Sequence, residues 1–597
     1  MKRTSGFVAV IWSLIERLSS QVISFLLGIV LARLLSPSDY GIVGMTMIFI
    51  LLSNVFIEAG FANALIRKTN RTEQDLSTAF YFNVLIGILA YCILWIGSPF
   101  IADWFKEPLL SLLIRISGVN VLLNSLCIVQ TALLTANLDI RRQTIINLCG
   151  QIPAGLITAI LAYNGLGVYA LVFQTIIASC IRVIMLWLYT PWRPQEKFNR
   201  ESFLSLWNFG SKLLGANLIG TAFNQVSSVL IGKYIGKSDL GYYSKASNLC
   251  GNIDSVSSGV VQKVALPMLS EFQKDKVLLS EKFREMMRLL IMGMAPLISF
   301  FCFTASDIIV ILWTEKWIQC AFVFQILIVG AAFNPIGHMS LSLMQTVGNS
   351  ALILKLEVPK KIIYCIYLAI GFCYGLVGLA VAQVLINITG ALINMWATKR
   401  IVKYSYMRQI VDVLGYMVIA FIVGYIWFNM IHTGYMFFNI LLMFMLIVFT
   451  YFAILVMIKD AILIKYVKKL PIYKVSDDFL YNLVKNEIKV SDDFLNEIKD
   501  KTLFEEKSEE FKYCSLLTNN KIVLGVLFNE FGNVLYLSRL LIEEEKEILT
   551  IANRLSLYHI NYEICNFNNE ISDNLTRKER NIKNNLLNKI NDLYKNN

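Results

Sequence analysis

Histidine is nearly absent: the 597 residues hold three, His338, His432 and His559. Eleven cysteines stand singly, mostly inside apolar stretches, as at Cys92, Cys127, Cys149, Cys180 and Cys302, and neither a Cys-x-x-Cys pair nor a suitable His spacing is there to build a zinc site. They read as packing residues. Charge is scarce as well: Asp, Glu, Lys and Arg make up 16% of the chain, against roughly a quarter in a soluble domain. With 56% hydrophobic residues and a mean hydropathy of +0.59, this excludes a soluble globular protein and defines a membrane protein. No small-residue cleavage pattern follows Lys2, Arg3 and the first apolar run, so that run is expected to remain as a helix rather than leave as a signal peptide.

What the chain has instead is a succession of apolar runs, each near the roughly 20 residues that cross about 30 Å of hydrocarbon. They fall at 7–35, 40–66, 76–100, 109–135, 144–164, 167–189, 203–234, 240–266, 286–312, 321–347, 354–375, 376–401, 408–431 and 435–458. The expectation is an all-α membrane protein of about 14 spans, with joints at Gly165–Gly167 and Gly375. Lys and Arg collect in alternate loops: Arg67, Lys68 and Arg71; Arg141 and Arg142; Arg193, Lys197 and Arg200; Lys274 to Arg288; Lys399, Arg400 and Lys403. The other loops hold little beyond Lys106, Lys237 and Lys316. Because cytoplasmic loops retain basic residues, both termini are expected inside. The formal charge of +12 is then a topology signal, and no nucleic-acid partner is expected.

One loop is written twice. Ser-Asp-x-Gly occurs at Ser38, Asp39 and Gly41 in RLLSPSDYGIVGM, and at Ser238, Asp239 and Gly241 in KYIGKSDLGYYSK, after Arg33 and Lys233 respectively. Short loops often use these residues because they cap helices and turn chains. Here, however, each copy joins a matched pair of spans, 1–2 and 7–8, about two hundred residues apart. Six spans separate them, so both copies point the same way. The sequence reads as two six-helix lobes in parallel pseudo-twofold repeat, 1–200 and 201–405, followed by two additional helices, 406–460, and a cytoplasmic tail, 461–597. Transporters use such repeats to enclose a central cavity.

The segments LARLLSPSDYGIV, WRPQ (Trp192–Gln195), NFGSKLL (Asn208–Leu214), IGKYIGKSDLGYYSKA (Ile231–Ala246), LPMLSEFQKD (Leu266–Asp275) and LWTEKW (Leu312–Trp317) together resemble, in order and spacing, the bacterial polysaccharide exporters. These are the O-antigen and colanic-acid type (Wzx-like) flippases of the multidrug/oligosaccharidyl-lipid/polysaccharide exporter superfamily. The resemblance covers about residues 5–460. It implies an undecaprenyl-pyrophosphate-linked oligosaccharide moved from the cytoplasmic to the periplasmic leaflet of the bacterial inner membrane by alternating access, with spans 1, 2, 7 and 8 lining the cavity.

Ionisable groups inside a span cost about 2.5–3.5 kcal/mol on insertion scales and mark cavities or partners. In the four lining spans these are Glu16, Arg17, Glu58, Lys212 and Asp254. Arg17 and Lys212 are the candidates for substrate binding, since a pyrophosphate is a compact polyanion that cations hold by charge-assisted hydrogen bonds. A solvated position near the inner end of the first helix is the competing reading for Glu16 and Arg17. Glu58 and Asp254, with Glu16, are the candidates for ion coupling by H⁺ or Na⁺, against buried polar contacts at a lobe seam. Trp95, Trp104, Trp187, Tyr189, Trp313 and Trp317 read as an interfacial aromatic belt. No metal site and no cofactor are expected.

The tail repeats KVSDDFL at Lys474–Leu480 and Lys489–Leu495. Asp477, Asp478, Asp492 and Asp493 read there as helix caps in preference to metal ligands. A short apolar pair follows around Gly532, and the tail is expected to be a small α or α+β module that contacts glycan-assembly proteins. Three rival functions remain at this level. They are a drug or small-molecule exporter of the same superfamily, a membrane glycosyltransferase or polymerase, and a scaffold for glycan machinery. The enzyme reading is disfavoured because the outer loops are too short to carry an acid/base site.

Overall fold

A computed structural model describes residues 6–58, 61–68, 70–348, 350–431, 436–460, 462–463, 503–508, 511–518, 521–529 and 534–538. Through residue 457 the described elements are helical: α1 (Gly6–Leu34), α2 (Pro37–Glu58), α3 (Phe61–Arg67), α4 (Glu73–Phe105), α5 (Leu109–Ser125), α6 (Ile128–Ala136), α7 (Ile140–Tyr163), α8 (Val168–Tyr189) and α9 (Arg200–Leu230). A π-helical turn, Ile231–Ile235, leads into α10 (Lys237–Glu271), α11 (Lys276–Phe303), α12 (Ala305–Trp313), α13 (Ile318–Ala331), α14 (Asn334–Thr346), α15 (Ser350–Phe372), α16 (Gly375–Thr398), α17 (Tyr406–Met430) and α18 (Met436–Met457). The joints expected at Gly165–Gly167 and Gly375 are helix breaks. Gly165, Gly167 and Gly375 have φ of 83°, 55° and 66°, a region open to glycine and strained for most other residues.

Among the described residues, ten helices are long and apolar enough to cross a membrane, or eleven if α5 and α6, bent by 45°, count as one span. The other three of the fourteen expected segments, α1, α10 and α15, are helices that this measure does not count, α1 entering it only over Ser19–Leu34. α10 carries Lys245, Asp254, Gln262 and Lys263 among many serines and asparagines, and α15 carries Lys355, Glu357, Lys360 and Lys361. Both are helices, but neither is apolar along its length.

In the first half α4 packs on α5, α7 on α8, α1 on α7 and α2 on α5. In the second half α10 packs on α13 and α14, α13 on α16, and α15 on α16, while the α2–α10 contact joins the two. The repeat extends into the interior. The fourth span of each half is interrupted, between α5 and α6 and between α13 and α14. Each interruption sends an asparagine to the same place on the repeated helix: Asn124 Nδ2 donates to Asn54 at 3.2 Å, and Asn334 Nδ2 donates to Asp254 at 3.3 Å. Asn54 and Asp254 are 200 residues apart, as are Asp39 and Asp239.

α17 is fastened to α11 by ions. Arg284 donates to both carboxylate oxygens of Asp412, at 2.8 and 3.3 Å. The Tyr404 hydroxyl donates to Asp412 at 2.6 Å. Burial, and then that bond, push the Tyr404 hydroxyl well above its ordinary range.

The chain divides into two compact units, 1–452 and 453–597. The second contains β1 (Leu503–Ser508), β2 (Phe511–Thr518), β3 (Lys521–Asn529) and β4 (Val534–Ser538), an antiparallel meander in sequence order. The apolar pair expected around Gly532 is the β3–β4 pairing, with Val526 opposite Leu537. Gly532 itself and the two KVSDDFL copies, with Asp477, Asp478, Asp492 and Asp493, lie outside the described residues.

Candidate functional site: a cavity behind a paired corner

The doubled loop is a pair of helix starts. Ser36 caps α2: the Asp39 amide donates to Ser36 Oγ at 3.2 Å, and the Ser36 amide donates back to Asp39 Oδ2 at 2.9 Å, a reciprocal capping box. Pro37 occupies the first helical position, where a missing N–H costs nothing. In the second copy Gly236 stands where Ser36 stands in the first, and α10 begins at Lys237. The two starts are pressed together. A Cβ on Gly41 would lie 1.7 Å from the Lys237 carbonyl oxygen, and one on Gly241 would lie 1.9 Å from the Pro37 carbonyl oxygen. Each glycine therefore sits on the first residue of the other helix, and a small residue is what lets the backbones meet. That explains the repetition: the two loops are the two faces of one contact.

Around this corner the halves are bound by polar ties. Arg33 Nε donates to the Leu312 carbonyl at 2.9 Å and its Nη2 to Ile311. Lys316 Nζ donates to the Arg33 carbonyl at 2.7 Å, and Trp317 Nε1 to the Ala32 carbonyl at 2.8 Å. On the opposite side of the repeat, Lys237 pairs with Glu107 at 3.1 Å, and Lys233 stands over the Trp104 ring at 5.1 Å.

Beneath lies Lys245, 8% exposed, its ammonium donating to the Gly28 carbonyl at 3.4 Å and lying 4.1 Å from the Tyr40 ring centroid and 5.1 Å from that of Trp313. This corrects one expectation. Trp313 and Trp317 are 4% and 0% exposed and close the corner around a buried cation. Trp95, Trp104 and Tyr189 are exposed.

Farther along α2, a cavity of about 430 Å³ opens between α2, α3 and α9. Glu58, Asn63, Asn217, Thr221 and Asn224 supply its polar lining, with Gly220 leaving room. Amides and hydroxyls both donate and accept, which is what a surface needs to match sugar hydroxyls. Arg182 of α8 is the charged neighbour of Glu58. Of the residues singled out in the sequence, Glu58 is the one that lines this cavity. Lys212 is exposed on α9, one turn before Ala216, which also lines it. Glu16 accepts from Asn147 Nδ2 at 2.7 Å. Asp254 lies away from the lining, accepting from Ser258 and Asn334 at 2.8 and 3.3 Å. Arg17 is in α1, its side chain outside the described residues; its counterpart 200 positions on, Asn217, lines the cavity.

Two groups of charges were missed in the sequence. Lys245 falls inside the eighth expected span, within the quoted repeat. Lys355, Glu357, Lys360 and Lys361 fall inside the eleventh. The signal was the same as for Glu58, an ionisable residue within a span.

Comparison with known proteins places this arrangement in a class. Residues 30–322 match the family described as polysaccharide biosynthesis protein, and the resemblance to the polysaccharide exporters holds. The chain is 21% identical over 421 residues to the teichuronic acid biosynthesis protein TuaB of Bacillus subtilis (strain 168), covering 70% of this chain and 87% of that one. It is 22% identical over 306 residues to the succinoglycan biosynthesis transport protein ExoT of Rhizobium meliloti (strain 1021), covering 51% and 62%. The lipid II flippase MurJ, in an inward closed conformation, superposes with a TM-score of 0.60 at 15% identity, over 75% of this chain and 98% of MurJ. The protein has the MurJ-type membrane fold, and about half of its length is similar to polysaccharide biosynthesis proteins.

Proposed function

We propose that this chain flips an undecaprenyl-pyrophosphate-linked oligosaccharide from the cytoplasmic to the periplasmic leaflet of a bacterial inner membrane, by alternating access of its two halves. The observation that carries the reading is the amide-rich cavity between α2, α3 and α9, set behind a corner closed by Gly41 and Gly241. The Lys/Arg bias of the loops supports a periplasmic corner and cytoplasmic termini. In that state the substrate would enter from the cytoplasmic leaflet, its sugars meeting Asn63, Asn217, Thr221 and Asn224. Arg17, on the wall equivalent to Asn217, and Lys212 would meet the pyrophosphate. Glu58 is the first choice for coupling to H⁺ or Na⁺. Glu16 and Asp254, each already held by an asparagine amide, rank behind it. The tail, 461–597, would serve contacts with glycan-assembly proteins.

The test is made in cells lacking the protein, by mass spectrometry of lipid extracts with a probe of leaflet accessibility. Lipid-linked oligosaccharide is expected to accumulate on the cytoplasmic leaflet, to be cleared by the wild-type chain, and to be cleared at least tenfold more slowly by Glu58→Gln at equal protein level. Normal export without the protein would refute the assignment. Absence of complete lipid-linked units would favour an enzyme.

A further inference from the structure

A second pocket, of about 120 Å³, lies between α15 and α16 and shares no lining residue with the Glu58 cavity; Ile363, Ile386 and Ile393 form its apolar part. Glu357, Lys360, Lys361 and Tyr364 line it from α15, and Thr389 and Gly390 from α16. These α15 residues recur at helical spacing on one face, whereas Val358, Ile362 and Ile366, 60%, 59% and 51% exposed, form an apolar neighbouring face. An exposed apolar strip beside a charged one suits contact with acyl chains.

The charges do not balance. Lys360 Nζ pairs with Glu357 at 2.8 Å. Lys361 has ring faces for neighbours, Phe223 of α9 at 5.0 Å and Tyr364 at 5.7 Å. Among the described residues no carboxylate is paired with it. An ammonium carries three donors and no acceptor, and an ionisable group at membrane depth signals a site. Pro359, within α15, removes a helical donor one residue before Lys360.

We infer that this pocket binds the phosphate group of a lipid, with Lys361 and Lys360 holding the anion and the lipid tail lying along Val358, Ile362 and Ile366. Two lysines match phosphate oxygens as point-charge partners, whereas the Thr389 hydroxyl donates to the Leu385 and Ile386 carbonyls of its own helix. Glu357 competes with the anion for Lys360. The lipid's identity as the transported carrier rests on the flippase reading; the pocket's chemistry does not.

The test uses the full chain in nanodiscs with three probes: undecaprenyl pyrophosphate, phosphatidylglycerol and inorganic pyrophosphate, with affinities measured by native mass spectrometry and titration. Undecaprenyl pyrophosphate is expected to bind, Lys361→Gln to weaken it at least tenfold, Lys361→Arg to retain it, and Glu357→Gln to strengthen it several-fold. Equal binding of phosphatidylglycerol would make the site one for membrane phospholipid. Tighter binding of inorganic pyrophosphate than of either lipid would overturn the role of the tail. Unchanged affinity in a folded Lys361→Gln protein, or weakening by Glu357→Gln, overturns the pocket. Flipping in proteoliposomes is read separately. If the wild type binds through Lys361 but does not flip, the flippase reading fails and the pocket stands.

Discussion

At the scale of residues, the two corner glycines carry the sharpest consequence. A methyl group at Gly41 would overlap a backbone oxygen of Lys237, which no rotamer change relieves. Gly41→Ala is expected to destabilise the folded protein by about 1–3 kcal/mol, as forced overpacking does, and Gly241→Ala by a similar amount. Thermal unfolding of the purified protein checks this, and unchanged midpoints would refute the contact. Trp317→Phe should cost about 2–4 kcal/mol, because it orphans the buried Ala32 carbonyl and leaves a cavity at a fully buried ring while keeping an aromatic edge near Tyr40. The glycines and Glu58 were legible in the sequence, as a repeated motif and as a carboxylate in a span. Lys245 was not recognised, although the motif quoted ends on it, because its aromatic and carbonyl partners, Trp313 and Gly28, come from distant parts of the chain.

At the scale of elements, the question is what fixes each helix where it is. α17 follows the repeat and has no counterpart in it, so its place depends on Asp412 reaching Arg284, Arg288 and Tyr404. Asp412→Asn leaves those cations short of an acceptor and is expected to lower stability by about 1–3 kcal/mol, discounted from a fully buried pair because Arg284 is 38% exposed. Tyr404→Phe should lose about 1 kcal/mol. A double-mutant cycle of the two measures their coupling, and strict additivity would contradict the shared network. Helix existence was readable from apolar runs, whereas the interruptions between α5 and α6 and between α13 and α14 were not. Those breaks place Asn124 and Asn334 against Asn54 and Asp254, contacts over 70 and 80 residues that no local pattern announces.

At the scale of the whole molecule, the repeat supplies both the two halves and the contact that shuts them at one end. The opposite arrangement, with the corner parted, would release Arg33, Lys245 and Trp317 from their carbonyl partners and open the cavity the other way. The repetition of the corner motif 200 residues apart was legible. The cavity's position was not, since α2, α3 and α9 meet there through tertiary packing. The most direct measurement joins two exposed corner residues covalently. Arg33→Cys and Lys316→Cys, whose parent residues are in contact through the Lys316 ammonium, are bridged by a cleavable bifunctional thiol reagent after the exposed Cys92, Cys365 and Cys373 are replaced. Flipping of lipid-linked oligosaccharide is then followed in proteoliposomes. The account predicts flipping before bridging, none while the bridge holds, and recovery on cleavage; flipping at an undiminished rate through a bridged corner would contradict it.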